Sequence, residues 1–264
     1  MSVRPNTFQL DAADSGLAAV RHRAGCLARS LRLPGTAAAP DCLSIRYWHR
    51  PDSATPAASP SRAPVLLVHG YASTEHMWRQ LRAALAGAGF DHVIALRYNT
   101  FRADIHRVAD WLVEQADRTM TACGADGVHL IGHSMGGLVV RDAVQARGLG
   151  DRARTAVTLA TPHHGSPFAR FVPGPCARQM LPGSDFLRSL AARRRHGSTR
   201  WIDIEGDGDR VVAAGPAPTE TEVVRVRHPS GHCSITRHPE VVARIVDELI
   251  GADERTADQF SLAA

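Results

Sequence analysis

Short apolar runs alternate with longer amphipathic segments from residue 64 onward. The runs VLLV, VIAL, VHLI, TAVTL, WIDI and EVVRV are typical of β-strands, and VLLV and VHLI suit strands that are buried on both faces. Apolar positions at helical spacing predict four helices, at about 74–88, 103–122, 135–147 and 239–250. Strands that alternate with helices predict an α/β domain with a mostly parallel central sheet flanked by helices.

Outside this region the pattern is weaker. Residues 1–40 contain one amphipathic segment, Ser15 to Leu33, which predicts a helix packed on the domain edge, with a membrane-surface helix as the alternative. We therefore divide the chain into an N-terminal arm (1–40), an α/β domain (41–250) and a polar C-terminal tail (251–264). A stretch rich in Gly, Pro and Arg at 162–198 interrupts the alternation within the domain and is predicted to be irregular.

Composition limits the class of protein. The 264 residues are 44% hydrophobic and 22% charged, which fits one globular domain and excludes disordered and collagen-like chains. The longest aliphatic run has only four residues, too few for a transmembrane helix. The first residues lack the apolar stretch of a signal peptide, so we expect a cytoplasmic protein, or a secreted one if a leader has been removed. Five cysteines without a C-x-x-C pair indicate neither a disulfide framework nor a zinc knuckle.

The net charge of +5 does not indicate a nucleic-acid-binding protein. All 31 basic residues are arginines, and they are scattered apart from the run Arg193–Arg195. No nucleic-acid-binding motif and no basic stripe with interleaved aromatic residues is present. The basic surface favours anionic substrates or weak contact with anionic lipid.

The clearest chemical signal is the segment Gly132-His133-Ser134-Met135-Gly136. It lies between a predicted strand and a predicted helix, as the G-x-S-x-G pattern of a nucleophilic serine requires. The flanking glycines leave room for a tight turn, which exposes the Ser134 hydroxyl at the carboxyl end of the sheet. Ser134 is therefore the predicted nucleophile.

Three segments give the chain its resemblance to the α/β-hydrolase fold, specifically to bacterial lipases and esterases of the triacylglycerol lipase type. They are VLLVHGYAS at 65–73, LIGHSMGG at 130–137 and LATPHHGS at 159–166. The resemblance covers about residues 64–247. It implies that 162–198 is a short cap or lid inserted after the strand that ends at TPHHG. This insertion would supply an apolar acyl pocket or a small lid, or else be a plain packed excursion.

An oxyanion hole follows from the same resemblance. One donor is the backbone N–H of Met135, the residue after the nucleophile. The other is the N–H of Tyr71, after the His-Gly pair that ends the first core strand, with Ala72 as the alternative. We expect His69 and Gly70 to shape this loop rather than to take part in the chemistry.

A serine nucleophile needs a histidine base, which in turn needs an orienting carboxylate. In this fold the acid and then the histidine follow the serine along the chain. The family pattern after WIDIEG selects Asp209 as the acid, with Asp207 as the alternative and a Ca²⁺ site as a third interpretation. His232, between the last strand and the last helix, is the predicted base. His228 and His238 are interpreted as structural.

Substrate contacts are predicted for Tyr71, His133, His164 and Phe168. His133 is also expected to be buried and hydrogen-bonded. His163 and His164 either line the cleft or fix the loop after the fourth strand, and neither has a metal-binding pattern. No metal and no cofactor is assigned.

The sequence thus predicts a serine-dependent carboxylic ester hydrolase, a lipase or esterase, that acts on a small acyl ester or lipid through an acyl-enzyme. A thioesterase or acyltransferase using the same triad on CoA-linked or carrier-linked acyl groups is the alternative. A non-catalytic scaffold on the same fold is the third hypothesis, which the ordered presence of all three triad residues disfavours.

Overall fold

A central sheet organises the computed structural model, which describes residues 43–48, 62–193, 198–212 and 223–263. Seven strands in this part of the chain form one sheet in the order β1-β3-β2-β4-β5-β6-β7. β1 is antiparallel to β3, and the other neighbouring pairs are parallel. The strands are β1 (Leu43–Trp48), β2 (Val65–Val68), β3 (Val93–Tyr98), β4 (Val128–His133), β5 (Ala153–Leu159), β6 (Arg200–Gly206) and β7 (Val223–His228).

Helices cover both faces of the sheet. They are α1 (Arg79–Gly87), α2 (Ile105–Cys123), α3 (Met135–Ala146), α4 (Pro175–Gln179), α5 (Asp185–Ala192) and α6 (Pro239–Ala263), with short 3-10 helices at Glu75–Trp78, Pro167–Phe171 and Ile235–Arg237. The side chains of β2 alternate between two cores, because successive residues of a strand point to opposite faces. Leu66 and Val68 pack with α2 and α3, and Val65 and Leu67 pack with α1 and α6. The predicted α/β class with a mostly parallel sheet is confirmed.

The structure differs from the predicted elements at both ends of the domain. Strand β1 was not predicted, and the Ser15–Leu33 helix and the arm 1–40 lie outside the described residues. The prediction that the last helix ends near Ile250, before a polar tail, is wrong, because α6 continues to Ala263. The extension is held by Asp253, which is only 6% exposed and bonds through Oδ1 to His129 Nε2 at 3.0 Å and to Arg154 Nη1 at 2.7 Å.

The insertion at 162–198 is more ordered than predicted in its described part, 162–193. It contains two of the α-helices and one of the 3-10 helices. One face of it packs into the core beside α2 and α3, through Ala169, Cys176, Met180, Phe186, Leu187 and Leu190. A lid function for this segment stays a prediction.

No helix within the described ranges is both long enough and apolar enough to cross a bilayer.

Candidate active site

Ser134 lies on a strained turn between β4 and α3. Its φ of 54° and ψ of −123° are unfavourable for a residue with a side chain, and such strain concentrates at functional sites. The turn depends on its glycines. A Cβ on Gly132 would lie 2.4 Å from the Gly136 carbonyl oxygen, and one on Gly136 would lie 2.1 Å from the Val68 carbonyl oxygen. Only glycine therefore fits at these two positions, as the G-x-S-x-G spacing predicted.

Ser134, His232 and Asp209 form a continuous hydrogen-bonded chain. His232 Nδ1 lies 2.7 Å from Asp209 Oδ2, and His232 Nε2 lies 3.0 Å from Ser134 Oγ. Because the carboxylate accepts the Nδ1 proton, the neutral ring presents an unprotonated Nε2 to the serine hydroxyl. The serine can thus donate its proton to the histidine, which is the arrangement that general-base activation requires.

The second oxygen of Asp209 is also held. Oδ1 accepts hydrogen bonds from the backbone N–H groups of Val211 at 2.8 Å and Val212 at 3.3 Å. Burial by itself would raise the pKa of this carboxyl, but the bonds to His232 and to the two N–H groups outweigh burial and lower the pKa. Asp209 therefore stays ionised at neutral pH.

The alternative acid, Asp207, points elsewhere. Its carboxylate pairs with the exposed guanidinium of Arg227 at 2.7 Å and is itself 47% exposed. Of the two aspartates in this turn, the structure thus brings Asp209 to His232.

His133, next to the serine, is only 3% exposed, and its Nε2–H donates to the carbonyl oxygen of His232 at 2.8 Å. Burial is the main cause that lowers the pKa of His133 to about 3, and the nearby His232 adds to it, so the ring is neutral at physiological pH. The observed contact is with the loop that carries His232. A contact between His133 and substrate stays a prediction.

Two backbone N–H groups beside Ser134 are available for an oxyanion. Among the described residues, the N–H groups of Tyr71 and Met135 have no hydrogen-bond partner, whereas the N–H of Ala72 donates to Thr100 Oγ1 at 3.1 Å. The loop passes close to Ser134, since a Cβ on Gly70 would lie 2.9 Å from the Ser134 Cβ. The geometry thus favours Tyr71 over Ala72 as the loop donor.

The insertion touches this loop through Tyr71. The Tyr71 hydroxyl donates to the Pro173 carbonyl oxygen at 2.6 Å, and its ring packs edge-on against Phe101 with 5.2 Å between centroids. Large apolar side chains are exposed on these two segments: Phe101, Phe168, Phe171 and Val172. We call these four residues the apolar rim. Phe168 is half-exposed and His164 is exposed, and their predicted substrate contacts stay predictions.

His69 and His163 are structural in their contacts. The buried His69 stacks on Tyr98 at 4.2 Å between ring centroids and donates from Nδ1 to the Gly70 carbonyl oxygen. The buried His163 contacts Arg141 Nη1 at 3.0 Å and Asp203 Oδ1 at 3.1 Å, which ties the loop after β5 to α3 and β6. Sequence reasoning missed this buried polar chain, and its one signal was Arg141, which follows the apolar run Leu138–Val140 in α3.

A mostly parallel sheet, with a serine on the turn between a central strand and its helix, defines the α/β-hydrolase class of proteins. Over residues 65–262 the chain matches the model of the Alpha/beta hydrolase family, and it belongs to that family.

Two curated relatives are each named triacylglycerol lipase. They come from Pseudarthrobacter phenanthrenivorans and Burkholderia plantarii, and each is 33% identical over 120 residues. The match covers 42% of this chain but only 37% and 33% of the two relatives, so the aligned part spans about a third of each.

Solved structures resemble the chain in fold. The mature form of a Bacillus licheniformis lipase superposes with a TM-score of 0.61 at 15% identity, covering 80% of this chain and 99% of that one. Aspergillus fumigatus lipase B superposes with a TM-score of 0.63 at 17% identity, covering 78% of this chain and 55% of that one. At these identities the likeness concerns the fold alone.

Proposed function

We propose that the protein is a serine-dependent hydrolase of carboxylic esters, of the lipase or esterase type. The observation that carries the proposal is the chain of contacts from Asp209 through His232 to Ser134. Beside it lie two backbone N–H groups that have no hydrogen-bond partner among the described residues. A nucleophile, its base, the orienting acid and oxyanion donors are the parts that acyl transfer needs.

In the proposed acylation step, Ser134 Oγ attacks the ester carbonyl carbon while its proton moves to His232 Nε2. The carbonyl oxygen becomes an oxyanion, which the N–H groups of Tyr71 and Met135 stabilise; each such donor contributes about 3 kcal/mol in other enzymes. The intermediate collapses when the bond to the alcohol oxygen breaks. His232 gives its proton to that oxygen, and Ser134 is left as an acyl ester.

Water completes the cycle. His232 Nε2 accepts a proton from water, whose oxygen attacks the acyl carbon and forms a second oxyanion in the same place. When the bond to Ser134 Oγ breaks, the serine recovers the proton and the carboxylic acid leaves. Asp209 stays ionised throughout and stabilises the imidazolium that forms in each half-reaction.

The proposed substrate is an ester with an apolar acyl chain, free or presented by a lipid surface. Two observations support this class. The apolar rim lies on the segments next to Tyr71, one of the proposed oxyanion donors. In addition, the curated relatives that match the chain are named for triacylglycerol hydrolysis.

The test is hydrolysis of p-nitrophenyl esters from acetyl to palmitoyl by the wild type and by Ser134→Ala, together with labelling by a fluorophosphonate probe. We expect hydrolysis and labelling in the wild type, and loss of both in the folded variant. Ser198→Ala, which removes an exposed hydroxyl between α5 and β6, is the matched control and should keep both.

Full esterase activity in Ser134→Ala would contradict the proposal. Wild-type labelling without hydrolysis of any ester would indicate a triad that acts on other acyl groups. An acyl-CoA would then be the next substrate, as the thioesterase and acyltransferase alternative predicts. Absence of both labelling and hydrolysis in a folded wild type would contradict serine catalysis altogether.

A further inference from the structure

Three side chains of types that can bind a metal ion meet where β7 ends and α6 begins. His228 is the last residue of β7, His238 precedes the first residue of α6, and Glu240 lies in the first turn of that helix. A ring nitrogen of each histidine and a carboxylate oxygen of Glu240 all lie within 4.8 Å of one another. These residues are outside the Ser134 triad, and the chemistry proposed above does not use them.

The distances suit a small cation with nitrogen and oxygen ligands. Tetrahedral zinc with bonds of about 2.1 Å separates its ligand atoms by about 3.4 Å. His228 Nε2 and Glu240 Oε2 are already 3.4 Å apart. Glu240 is 81% exposed, so its side chain can rotate to complete the geometry without disturbing the core.

Two further observations concern the ring nitrogens of these histidines. The Nδ1 atom of His238 is buried and has no hydrogen-bond partner among the described residues, an arrangement that native structures rarely leave unsatisfied. His228 Nδ1 lies 2.6 Å from Ser230 Oγ. When Nδ1–H donates to that hydroxyl, the tautomer of His228 is fixed and the lone pair of Nε2 faces Glu240. Histidines that bind metals are commonly oriented in this way, by a hydrogen bond from the ring nitrogen that does not bind the metal.

We propose that His228, His238 and Glu240 bind a divalent transition-metal ion of the Zn²⁺ class. Imidazole nitrogen with one carboxylate suits such ions better than Ca²⁺ or Mg²⁺, which prefer oxygen ligands. The three side chains supply three ligands, and water completes the coordination.

The position of this site gives it a consequence for the triad. The segment 229–237 joins two of the ligands and carries His232. The backbone at the start of this segment also holds the turn that carries Asp209: the Asp207 N–H donates to the His228 carbonyl oxygen at 2.8 Å, and the Gly208 N–H donates to the Ser230 carbonyl oxygen at 3.2 Å. A metal ion would therefore clamp the two ends of the base-bearing segment. This consequence for catalysis rests on the proposed function, whereas metal binding itself does not.

The experiment is calorimetric titration of chelator-treated protein, freed of any histidine tag, with Zn²⁺. We expect one ion per chain and a higher thermal midpoint with Zn²⁺. We also expect that His238→Gln and Glu240→Gln each weaken Zn²⁺ binding at least about tenfold. Even the loss of a residue that only hydrogen-bonds to a metal ligand lowers metal affinity by that much. Co²⁺ should give the visible absorption of a tetrahedral site in the wild type, and this absorption should be lost in both variants.

Two matched controls separate this site from other Zn²⁺ ligands. Glu254→Gln removes an exposed carboxylate from the same helix, and Cys233→Ser removes an exposed thiol next to His232. Both controls should bind Zn²⁺ like the wild type. No binding to the wild type, or equal affinity in the wild type and both ligand variants, would overturn the proposal. If the protein bound Zn²⁺ as expected but Ser134→Ala kept its esterase activity, the proposed function would fail and the metal site would stand.

Discussion

The Nε2–H group of His133 donates a hydrogen bond of 2.8 Å to the carbonyl oxygen of His232. The residue beside the proposed nucleophile therefore holds the backbone of the proposed base. The two rings lie 5.0 Å apart between centroids, and the neutral state of His133 avoids placing a second positive charge beside the imidazolium that forms on His232. We infer that His133 positions His232.

Replacing His133 tests this positioning role. His133→Ala should lower kcat for ester hydrolysis about tenfold, because one buried hydrogen bond contributes about 1.4 kcal/mol. His133→Gln, whose amide can reach the same carbonyl, should recover most of that loss. Equal kcat values for the Ala variant and the wild type, or a change confined to KM, would contradict the inference.

The assignment of the acid is tested by a matched pair of substitutions. Asp209→Asn should reduce kcat by about 10⁴-fold, as the same change does in another serine hydrolase, because the amide no longer holds the required tautomer of the histidine. Asp207→Asn removes only an exposed ion pair with Arg227 and should leave kcat nearly unchanged. If Asp207→Asn were the damaging change, the acid would be Asp207. Steady-state kinetics on one soluble ester decides between the two.

The turn at Ser134 predicts an unequal response to two Gly→Ala substitutions. At Gly136 the new Cβ would lie 2.1 Å from the Val68 carbonyl oxygen, so the turn must shift, at a cost of about 1–3 kcal/mol or more. At Gly87, the last residue of α1, a Cβ meets nothing within 4 Å, and alanine should be neutral or slightly stabilising. Thermal midpoints and fluorophosphonate labelling measure both effects. A Gly136→Ala protein with normal stability and labelling would refute the tight turn.

Burial of His133 predicts that acid destabilises the protein. Its pKa in the fold is about 3, compared with 6.5 in an unfolded chain. Between these values the unfolded chain binds a proton that the folded chain does not, so the free energy of unfolding falls as pH falls through this window. The lowered pKa of Asp209 acts in the same direction, since its stabilisation is present above the ordinary pKa and is lost in acid.

Urea unfolding of the wild type and of His133→Gln at about pH 7 and about pH 4.5 measures this effect. The interval between these pH values covers much of the range between the folded and unfolded pKa values of His133. We expect the free energy of unfolding to fall less in the variant. His69 and His129, whose pKa values are also lowered by burial, contribute the same background to both proteins. Identical pH dependence in the two proteins would show that His133 is not the group responsible.

The apolar rim predicts different effects on dispersed and dissolved substrates. Phe171 is 69% exposed, so Phe171→Ser should leave the thermal midpoint unchanged. Activity on an emulsified long-chain ester should fall by up to about tenfold, because part of the roughly 2 kcal/mol gained by burying a phenylalanine would be lost. Activity on p-nitrophenyl acetate should stay the same. A parallel loss on both substrates would contradict a role in lipid contact.

The sequence predicted the approximate positions of most strands and helices better than it predicted the residues at which they end. The strands with continuous apolar runs were recognisable because burial on both faces selects such runs. β1 was not predicted. The continuation of α6 past Ile250 was not expected either, because it depends on the polar residue Asp253, whose partner His129 lies 124 positions away in the chain. A local sequence pattern gives no information about a partner so far away in the chain.

By itself the sequence determined the alternation of strands and helices and the glycine-flanked turn at Ser134. These two features depend on neighbouring residues, so periodicity and spacing express them. The acid and the histidine were selected only through the resemblance to the α/β-hydrolase family. Only the tertiary structure decided which aspartate faces His232, which N–H groups beside Ser134 are unpartnered, and that His228, His238 and Glu240 meet. The contacts in the triad join residues 98 and 23 positions apart. Distances of that kind are set by the packing of the sheet and its loops, which no local pattern specifies.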